Sequence, residues 1–328
     1  GGIAQNILKA ALPMLVAQVL NLLYNIVDRI YIARIPDIGT AALGAVGLCF
    51  PIIVIITAFS NLFGSGGAPL FAIARGSGDK ARAGLILNLA CTLLLCCAGV
   101  LMVIGLLFAR PILVLFGASP EALQYALPYL MLYLLGTYPS MLTTGLNPFI
   151  NAQGYATAGM LSVVIGAAAN LVLDPVFIFV LGMGIRGAAL ATIIGQICGM
   201  VIGLWGVFRR QKVLKVNMKA FKWNRSIVGD IYRVGLPGIV MQSVVSVMTA
   251  GMNGILIAFS QTAVNVLGIY FKLQTFVFMP VFGLNQGALP VMGYNYGARN
   301  RRRLMGAYRI TLTAAVVIMA PGLVLFQL

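Results

Sequence analysis

Nine long apolar runs constrain this chain more than any other feature of its sequence. Each is roughly 20 to 27 residues long, and about 20 apolar residues in a helix cross the hydrocarbon core of a bilayer. The composition agrees, because 61% of the residues are hydrophobic and only 9% are charged, far outside the range of soluble proteins. The sequence therefore predicts an all-α integral membrane protein with spans at residues 7–34, 41–71, 85–109, 126–150, 157–181, 185–207, 233–259, 264–292 and 304–326.

Basic residues are divided unequally between the two ends of these spans. With the N-terminus in the cytoplasm, 17 of the 22 Lys and Arg residues lie on the cytoplasmic side and two lie within spans. Only Arg34, Arg110 and Arg186 remain on the outer side. This is the positive-inside pattern of membrane proteins. The net charge of +16 therefore predicts a cytoplasmic N-terminus and contact with anionic lipid headgroups, rather than with nucleic acid.

The first span carries a polar stripe in an otherwise apolar helix. Steps of three and four residues place Asn21, Tyr24, Asn25 and Asp28 along one helical face. A carboxylate inside a span costs about 3 kcal/mol on insertion scales, so it normally faces a cavity or a partner. The alternative is that Asp28 pairs with the adjacent Arg29, although sequence neighbours on a helix do not face each other.

The fifth span contains a second carboxylate beside a proline. Asn170 and Asp174 are one helical turn apart, and Pro175 cannot donate the hydrogen bond that the carbonyl of Leu171 would otherwise receive. An amide oxygen, a carboxylate and a free carbonyl within one turn suit a hard cation or a proton. A simple proline kink with an aspartate that snorkels to the interface is the alternative.

Depth in the membrane links the two carboxylates. Counted from the outer ends of the predicted spans, Asp28, Asp174 and Thr192 all lie about six or seven residues inside. The remaining four of the six acidic residues lie at or beyond span ends. Two intramembrane acids in one layer predict a shared site for a cation or a proton.

The chain also contains a parallel repeat. Short motifs recur at a constant offset: Leu12-Pro13 and Gln18 as Leu236-Pro237 and Gln242, and Leu43-Gly44 as Leu267-Gly268. Because both copies begin in spans that enter from the same side, the repeats are parallel, with six spans in the first. We therefore predict two pseudo-symmetric helical lobes: an N-terminal lobe of six spans at 1–208, a basic cytoplasmic linker at 209–228, and a partial C-terminal lobe of about three spans at 229–328.

Four stretches carry a family resemblance. They are 23–32 (LYNIVDRIYI), 170–175 (NLVLDP) followed by 187–192 (GAALAT), 278–285 (FMPVFGLN) and 293–298 (GYNYGA). With these motifs the chain resembles the multidrug and toxic compound extrusion (MATE) family of transporters, in its prokaryotic branch. The family has twelve spans in two six-helix lobes, so the resemblance implies that the last three helices are missing from this sequence.

The resemblance also implies a function and a site. It implies a monomeric transporter of the prokaryotic inner membrane that exports amphipathic organic cations by antiport with Na⁺ or H⁺, with no cofactor besides that coupling ion. The coupling ion, including Na⁺ as the one metal expected, would bind at the residues that match the family's acidic cavity, which are Asp28, Asn170, Asp174 and Thr192. Tyr24 and Asn147 would line the same cavity.

Lys272 lies in the eighth predicted span at about the depth of the acids, but in the second repeat. We assign it to the substrate cavity as a hypothesis, in which it pairs with the acids of the first lobe or helps to gate the cleft. The alternative is a lysine that snorkels outward to the membrane interface.

Two other classes of function were weighed. A flippase for a lipid-linked or polysaccharide precursor, from the same superfamily, would need a basic central cavity to hold pyrophosphate, and the first lobe offers acids instead. An intramembrane enzyme would need a nucleophile with a base or a metal constellation. The sequence has no histidine, and its five cysteines all lie in apolar runs, which is typical of buried small hydrophobic residues. We therefore expect a transporter and not an enzyme.

Overall fold

The computed structural model describes residues 2–210, 219 and 221–327. Within these residues the chain forms ten α-helices and no strand, which confirms the predicted all-α class. The helices are α1 (Ile3–Ala33), α2 (Gly39–Gly76), α3 (Lys80–Leu115), α4 (Pro120–Leu135), α5 (Thr137–Ala152), α6 (Ala156–Pro175), α7 (Ile185–Arg210), α8 (Arg225–Ile257), α9 (Gln261–Gly297) and α10 (Arg301–Leu325). A π-helical turn, Val176–Val180, follows α6.

Eight of the predicted spans are helices long and apolar enough to cross a membrane. The fourth span differs, because it is divided into α4 and α5, each of 16 residues. Gly136 ends α4, and Pro139 in the first turn of α5 has no N–H to donate back to α4. A glycine followed by a proline thus interrupts the helix in the middle of the span.

Pro175 changes the hydrogen-bond register of the fifth span. The N–H of Val176 bonds the carbonyl of Leu173, three residues back. The N–H of Leu181 then bonds the carbonyl of Val176, five residues back, at 2.9 Å. Because proline removes one donor, the backbone passes from the α-helical to the wider π-helical pattern. The irregular hydrogen bonding begins at Val176, two residues after Asp174.

The first six spans pack around one apolar core. Buried side chains from α2, α3, α4, α5 and α7 form most of it, and Ile32 of α1 with Ile227 and Ile231 of α8 also belong to it. Helix α1 lies at the side of this group, where it packs against α6 and α9. Helices α8 and α9 join the first lobe through α2 and α1, and α10 packs mainly on α9. The site described below therefore lies between α1, α6 and the core helices.

Residues 211–218 and 220 of the predicted linker 209–228 lie outside the described residues. Helix α8 begins at Arg225, earlier than the predicted span, because Asn224 caps it by accepting hydrogen bonds from the N–H groups of Ser226 and Ile227. An ion pair between Arg82 and Asp230, at 3.7 Å, joins the first turn of α3 to the second turn of α8. Both side chains are partly exposed, so this pair contributes less than about 1 kcal/mol.

The two lobes meet at one end of the bundle, which we call the basic face. It is the end that carries most of the basic residues of the described chain, among them Arg75, Lys80, Arg82, Arg225, Arg299, Arg301, Arg302 and Arg303. Near this face Gly235 of α8 contacts Leu62 of α2, and Gly287 of α9 contacts Ala11 of α1. Farther along α8 the large residue Met241 is 72% exposed. The lobes therefore pack closely at the basic face and separate toward the opposite one.

Replacement of Gly235 should weaken this packing. A Cβ at Gly235 would meet the Leu62 carbonyl oxygen and approach its Cδ1 to 2.9 Å. We expect Gly235→Ala to destabilise the protein by about 1–3 kcal/mol, as overpacking does, and to lower the thermal unfolding temperature in detergent. A Cβ at Gly238, one turn away on the same helix, would meet nothing within 4 Å. Gly238→Ala is the matched control, and an equal loss in both variants would contradict the prediction.

Candidate functional site

The packing of α1 against α6 brings two carboxyl groups into direct contact. Asp28 on α1 and Asp174 on α6 interact through their side chains. Asp174 is fully buried and Asp28 is half-buried. The Oδ1 atom of each is buried and has no hydrogen-bond partner among the described residues. The structure therefore brings together the two acids that depth alone had linked.

Arg29 does not neutralise this pair. Its guanidinium lies over the ring of Phe50, 5.8 Å from the centroid. The ion pair found in the described part of the chain joins Arg82 and Asp230, and neither Asp28 nor Asp174 has a basic partner there. No close ion pair therefore joins Asp28 to its sequence neighbour, which was the alternative interpretation, although Arg29 is near enough to interact with Asp28 electrostatically.

Asn170 and Thr192 hold Asp174 from one side. The hydrogen-bond partners fix the orientation of the Asn170 amide, whose nitrogen donates to Asp174 Oδ2 at 2.7 Å. Its oxygen accepts from the backbone N–H of Thr192 at 3.0 Å. The Thr192 hydroxyl also lies 2.9 Å from the Ala188 carbonyl, and Tyr24 interacts with Thr192. The four predicted ion-site residues and Tyr24 are thus neighbours, with α1, α6 and α7 each contributing.

The unpartnered oxygens define what this cluster can bind. Two unit charges about 4 Å apart repel by roughly 4 kcal/mol at an effective dielectric constant of about 20. A single proton or monovalent cation bound between Asp28 and Asp174 would remove this repulsion, and each residue has an open Oδ1 atom to offer it. The open atoms of the pair are carboxylate oxygens, the donor type that hard cations prefer, whereas Asn170 presents its nitrogen to Asp174. The geometry thus fits either Na⁺ or H⁺.

A cavity of about 430 Å³ adjoins the acid pair. Tyr24, Asn147, Asn170 and Thr192 line it, as predicted for a common cavity, whereas Asp28 and Asp174 lie beyond its wall. The other polar lining residues are all neutral: Gln18, Asn21, Thr57, Asn61, Ser65, Ser140, Thr143, Thr144, Ser162, Gln196 and Gln286. The cavity is therefore a neutral chamber of amides and hydroxyls, with the acids next to one end of it.

Most of this chamber was missed at the level of sequence. The stripe of α1 was identified, but α2 contributes a similar one with Thr57, Asn61 and Ser65 at steps of four residues. Such spacing within an apolar run indicates one polar helical face. The spacing of polar residues in the second predicted span was therefore enough to indicate this stripe from the sequence.

Asn147 and Lys272 occupy different environments. Asn147 Nδ2 donates to the Gly159 carbonyl at 3.0 Å and to Ser162 Oγ at 3.3 Å, so it joins α5 to α6 at the cavity wall. The side chain of Lys272 is exposed and does not line the cavity. It lies in the half of α9 that has separated from the first lobe. The geometry gives no support to its predicted place in the substrate cavity.

Two tyrosines of α4 were also missed. Tyr129 and Tyr133 are buried and stacked, with ring centroids 6.2 Å apart. Both lie close enough to Asp28 to interact with it electrostatically. Gln196 Nε2 donates to the Tyr133 hydroxyl at 3.4 Å, and its own Oε1 is buried without a partner. Their one-turn spacing within a predicted span was the available signal.

A family model and a multidrug export protein each match most of this chain. The MatE family model matches residues 13–176 and 237–328. The multidrug export protein MepA of Staphylococcus haemolyticus is 27% identical over 310 residues, which is 94% of this chain and 68% of MepA.

Two solved structures share the fold. An outward-facing multidrug resistance MATE family transporter of the MOP superfamily superimposes with a TM-score of 0.91 at 28% identity, over 100% of this chain and 72% of that one. A MOP superfamily transporter from Pyrococcus furiosus, described by a binding pocket of reverse polarity that suggests a different function, gives 0.88 at 28% identity, over 97% and 70%. The two structures differ in described function although each resembles this chain equally in sequence.

The support of Asp174 by Asn170 can be tested with a double mutant. Asn170→Leu should destabilise the protein by about 1–3 kcal/mol, because Asp174 Oδ2 then loses its buried donor. Asn170→Leu combined with Asp174→Leu should recover much of this loss, since both partners are then apolar. Thermal unfolding in detergent measures both effects.

The matched control is Asn25→Leu, because Asn25 is exposed and bonds only its own helix through the Asn21 carbonyl. Its expected effect is within about 0.5 kcal/mol. A double mutant less stable than the single variant would show that Asn170 does not act through Asp174.

Proposed function

The chain belongs to the MatE family, and we propose that it is a monomeric transporter that exports amphipathic organic cations by antiport with Na⁺ or H⁺. The contact between Asp28 and Asp174, each with an unpartnered oxygen, carries this proposal. A resident positive charge would occupy such a pair permanently. A pair without one can gain and lose a cation or a proton during a transport cycle, as coupling requires.

Exchange of the coupling ion acts on the packing of α1 against α6. When the ion is absent, the two carboxylates repel each other and favour separation of these helices. When it is bound, the repulsion ends and α1 can pack closely on α6. The π-helical turn that begins after Pro175 gives this part of the fifth span an irregular backbone that tolerates such a change. The ion thus alters the wall of the adjoining cavity.

The same geometry favours a cationic substrate. Negative charge adjoins one end of the cavity, and Tyr24 offers its aromatic ring at that end. Aromatic faces attract organic cations. A lipophilic cation and the coupling ion would then compete for electrostatic attraction to the same two acids, Asp28 and Asp174. This competition accounts for exchange of one for the other.

The flippase alternative receives less support from the cavity. A carrier of lipid-linked pyrophosphate needs basic groups where the phosphates lie. No Lys or Arg lines the described cavity. The Pyrococcus relative with a pocket of reverse polarity shows why this alternative is still worth an assay with labelled lipid precursor.

The charge of Asp174 should be essential for transport. The assay uses the full chain in proteoliposomes and measures ethidium efflux driven by a Na⁺ gradient or by a proton gradient. We expect one gradient to drive efflux in the wild type, and Asp174→Asn to reduce it to the leak of protein-free liposomes, because the amide cannot exchange a charge. Asp37→Asn, outside the spans, is the matched control and should transport normally.

Two results would contradict the proposal. Unchanged efflux in Asp174→Asn would make this carboxylate structural and place the coupling site elsewhere. Absence of efflux under both gradients, together with transport of a labelled lipid precursor, would favour the flippase.

We propose further that the basic face is cytoplasmic in a prokaryotic inner membrane, as the positive-inside pattern implies. The test places single cysteines at exposed positions on opposite faces, Lys80→Cys and Glu121→Cys, in a chain whose native cysteines are replaced. An impermeant maleimide should label Glu121→Cys in intact cells, and Lys80→Cys only after permeabilisation. The reverse pattern would invert the proposed orientation.

A further inference from the structure

The cavity beside the acid pair extends a long way toward the basic face. On α1 its lining runs from Tyr24 to Met14, ten residues that correspond to about 15 Å of helix. On α2 it follows Thr57, Asn61 and Ser65. These two polar faces lead away from Asp28 and Asp174 and end where the lobes meet. The cavity is thus elongated along the helices.

A second cavity continues in the same direction. It has a volume of about 30 Å³ and shares Ser65, Pro148 and Gln286 with the first. From there it reaches Asn151 and Ala152 at the end of α5. The Ala152 carbonyl accepts a hydrogen bond from Arg75 of the basic face at 3.1 Å. The two cavities together therefore connect the neighbourhood of the acids with the basic face.

Buried polar groups at this end have unused hydrogen-bonding capacity. Asn151 is 5% exposed and Gln153 is 9% exposed. Asn151 Oδ1 and Gln153 Nε2 have no partner among the described residues. Buried polar atoms of this kind normally bond to ordered water. By volume, the larger cavity has room for on the order of ten waters and the smaller for about one.

We propose that these two cavities form a hydrated passage through which the coupling ion travels between the acid pair and the basic face. The passage lies mainly within the first lobe. It is distinct from the open space between the two lobes on the side opposite the basic face. The inference rests on the proposed antiport. Neutral amides and hydroxyls suit this role, because they solvate a cation or order a chain of water without trapping the ion as a further carboxylate would.

The second lobe contributes the narrow part of the passage. Gln286, Leu289 and Pro290 of α9 line the small cavity opposite α2 and α5. Close contact of Gly287 with Ala11 fixes this part of α9 against α1. A shift of α9 relative to the first lobe would therefore change a constriction about one water wide. Passage of the ion is in this way linked to the position of the second lobe.

The test narrows the passage where the two cavities join. Ser65→Leu places an apolar side chain there, and we expect gradient-driven ethidium efflux to slow by about tenfold or more. Ethidium affinity, measured by fluorescence, should stay within about twofold of the wild type, because Ser65 lies where the cavity joins the second one and the cation is proposed to bind at the other end, beside Tyr24 and the acid pair. Ser246→Leu is the matched control, because Ser246 on α8 is exposed, bonds the Gln242 carbonyl of its own helix and lines neither cavity.

Two further measurements guard against a folding defect. Thr57→Val removes one lining hydroxyl with little change in volume, and should slow efflux in the same direction by a smaller factor. Ser65→Cys, in a chain without other cysteines, should react with Ag⁺ added at the basic face, because this thiol-reactive ion is small enough for a constriction about one water wide. Thermal unfolding of each variant reports whether it is folded.

Each outcome decides a separate point. Wild-type efflux in Ser65→Leu, or an unreactive Ser65→Cys, would overturn the passage. Loss of ethidium affinity in parallel with efflux would also overturn it, because Ser65 would then belong to the substrate site. Absence of efflux in the wild type under either gradient would remove the antiport and with it the ion-conducting role, whereas labelling of Ser65→Cys reports the water path independently.

Discussion

Two carboxyl groups in contact within a bundle of apolar helices impose a requirement that the surrounding structure has to meet. An ionised carboxylate at the centre of a span costs about 2.5–3.5 kcal/mol on insertion scales, and a second one nearby adds repulsion. No basic residue in the described part of the chain pairs with Asp28 or Asp174. Arg29 acts on Asp28 only from a distance, so a positive charge that binds the pair directly would come from outside the protein, and the neutral polar cavity beside the pair gives it access.

The polar neighbours of the pair hold one oxygen of Asp174 in place and leave other carboxylate oxygens open to an ion. The Asn170 amide is fully engaged, because its nitrogen bonds Asp174 and its oxygen bonds Thr192. These residues therefore orient one oxygen of Asp174 and leave the other open, together with Oδ1 of Asp28. A site with two open oxygens from two different helices responds to its ligand by a change in helix packing. A site enclosed within one helix would bind the same ion without moving anything.

The sequence predicted the site better than it predicted the cavity, for a physical reason. A carboxylate in a span is so costly that its presence alone indicates a site, and equal depth was enough to bring Asp28 and Asp174 together. A hydroxyl such as that of Thr57 can bond its own helix, here the Ile53 carbonyl at 3.0 Å, so it carries little signal by itself. Lys272 had the predicted depth, but depth does not determine whether two lobes are in contact at that level.

The constriction between the two cavities lies at the same level along the helices as the close contacts between the lobes. Small residues such as Gly235 and Gly287 allow the lobes to approach closely near the basic face, whereas large exposed residues such as Met241 cover the separated part of α8. A change in the angle between the lobes must therefore pivot near the close contacts. Motion is smallest at a pivot, but a constriction about one water wide is sensitive to shifts well below the diameter of that water. A large rearrangement on the substrate side and a small one at the ion passage can thus be two parts of the same motion.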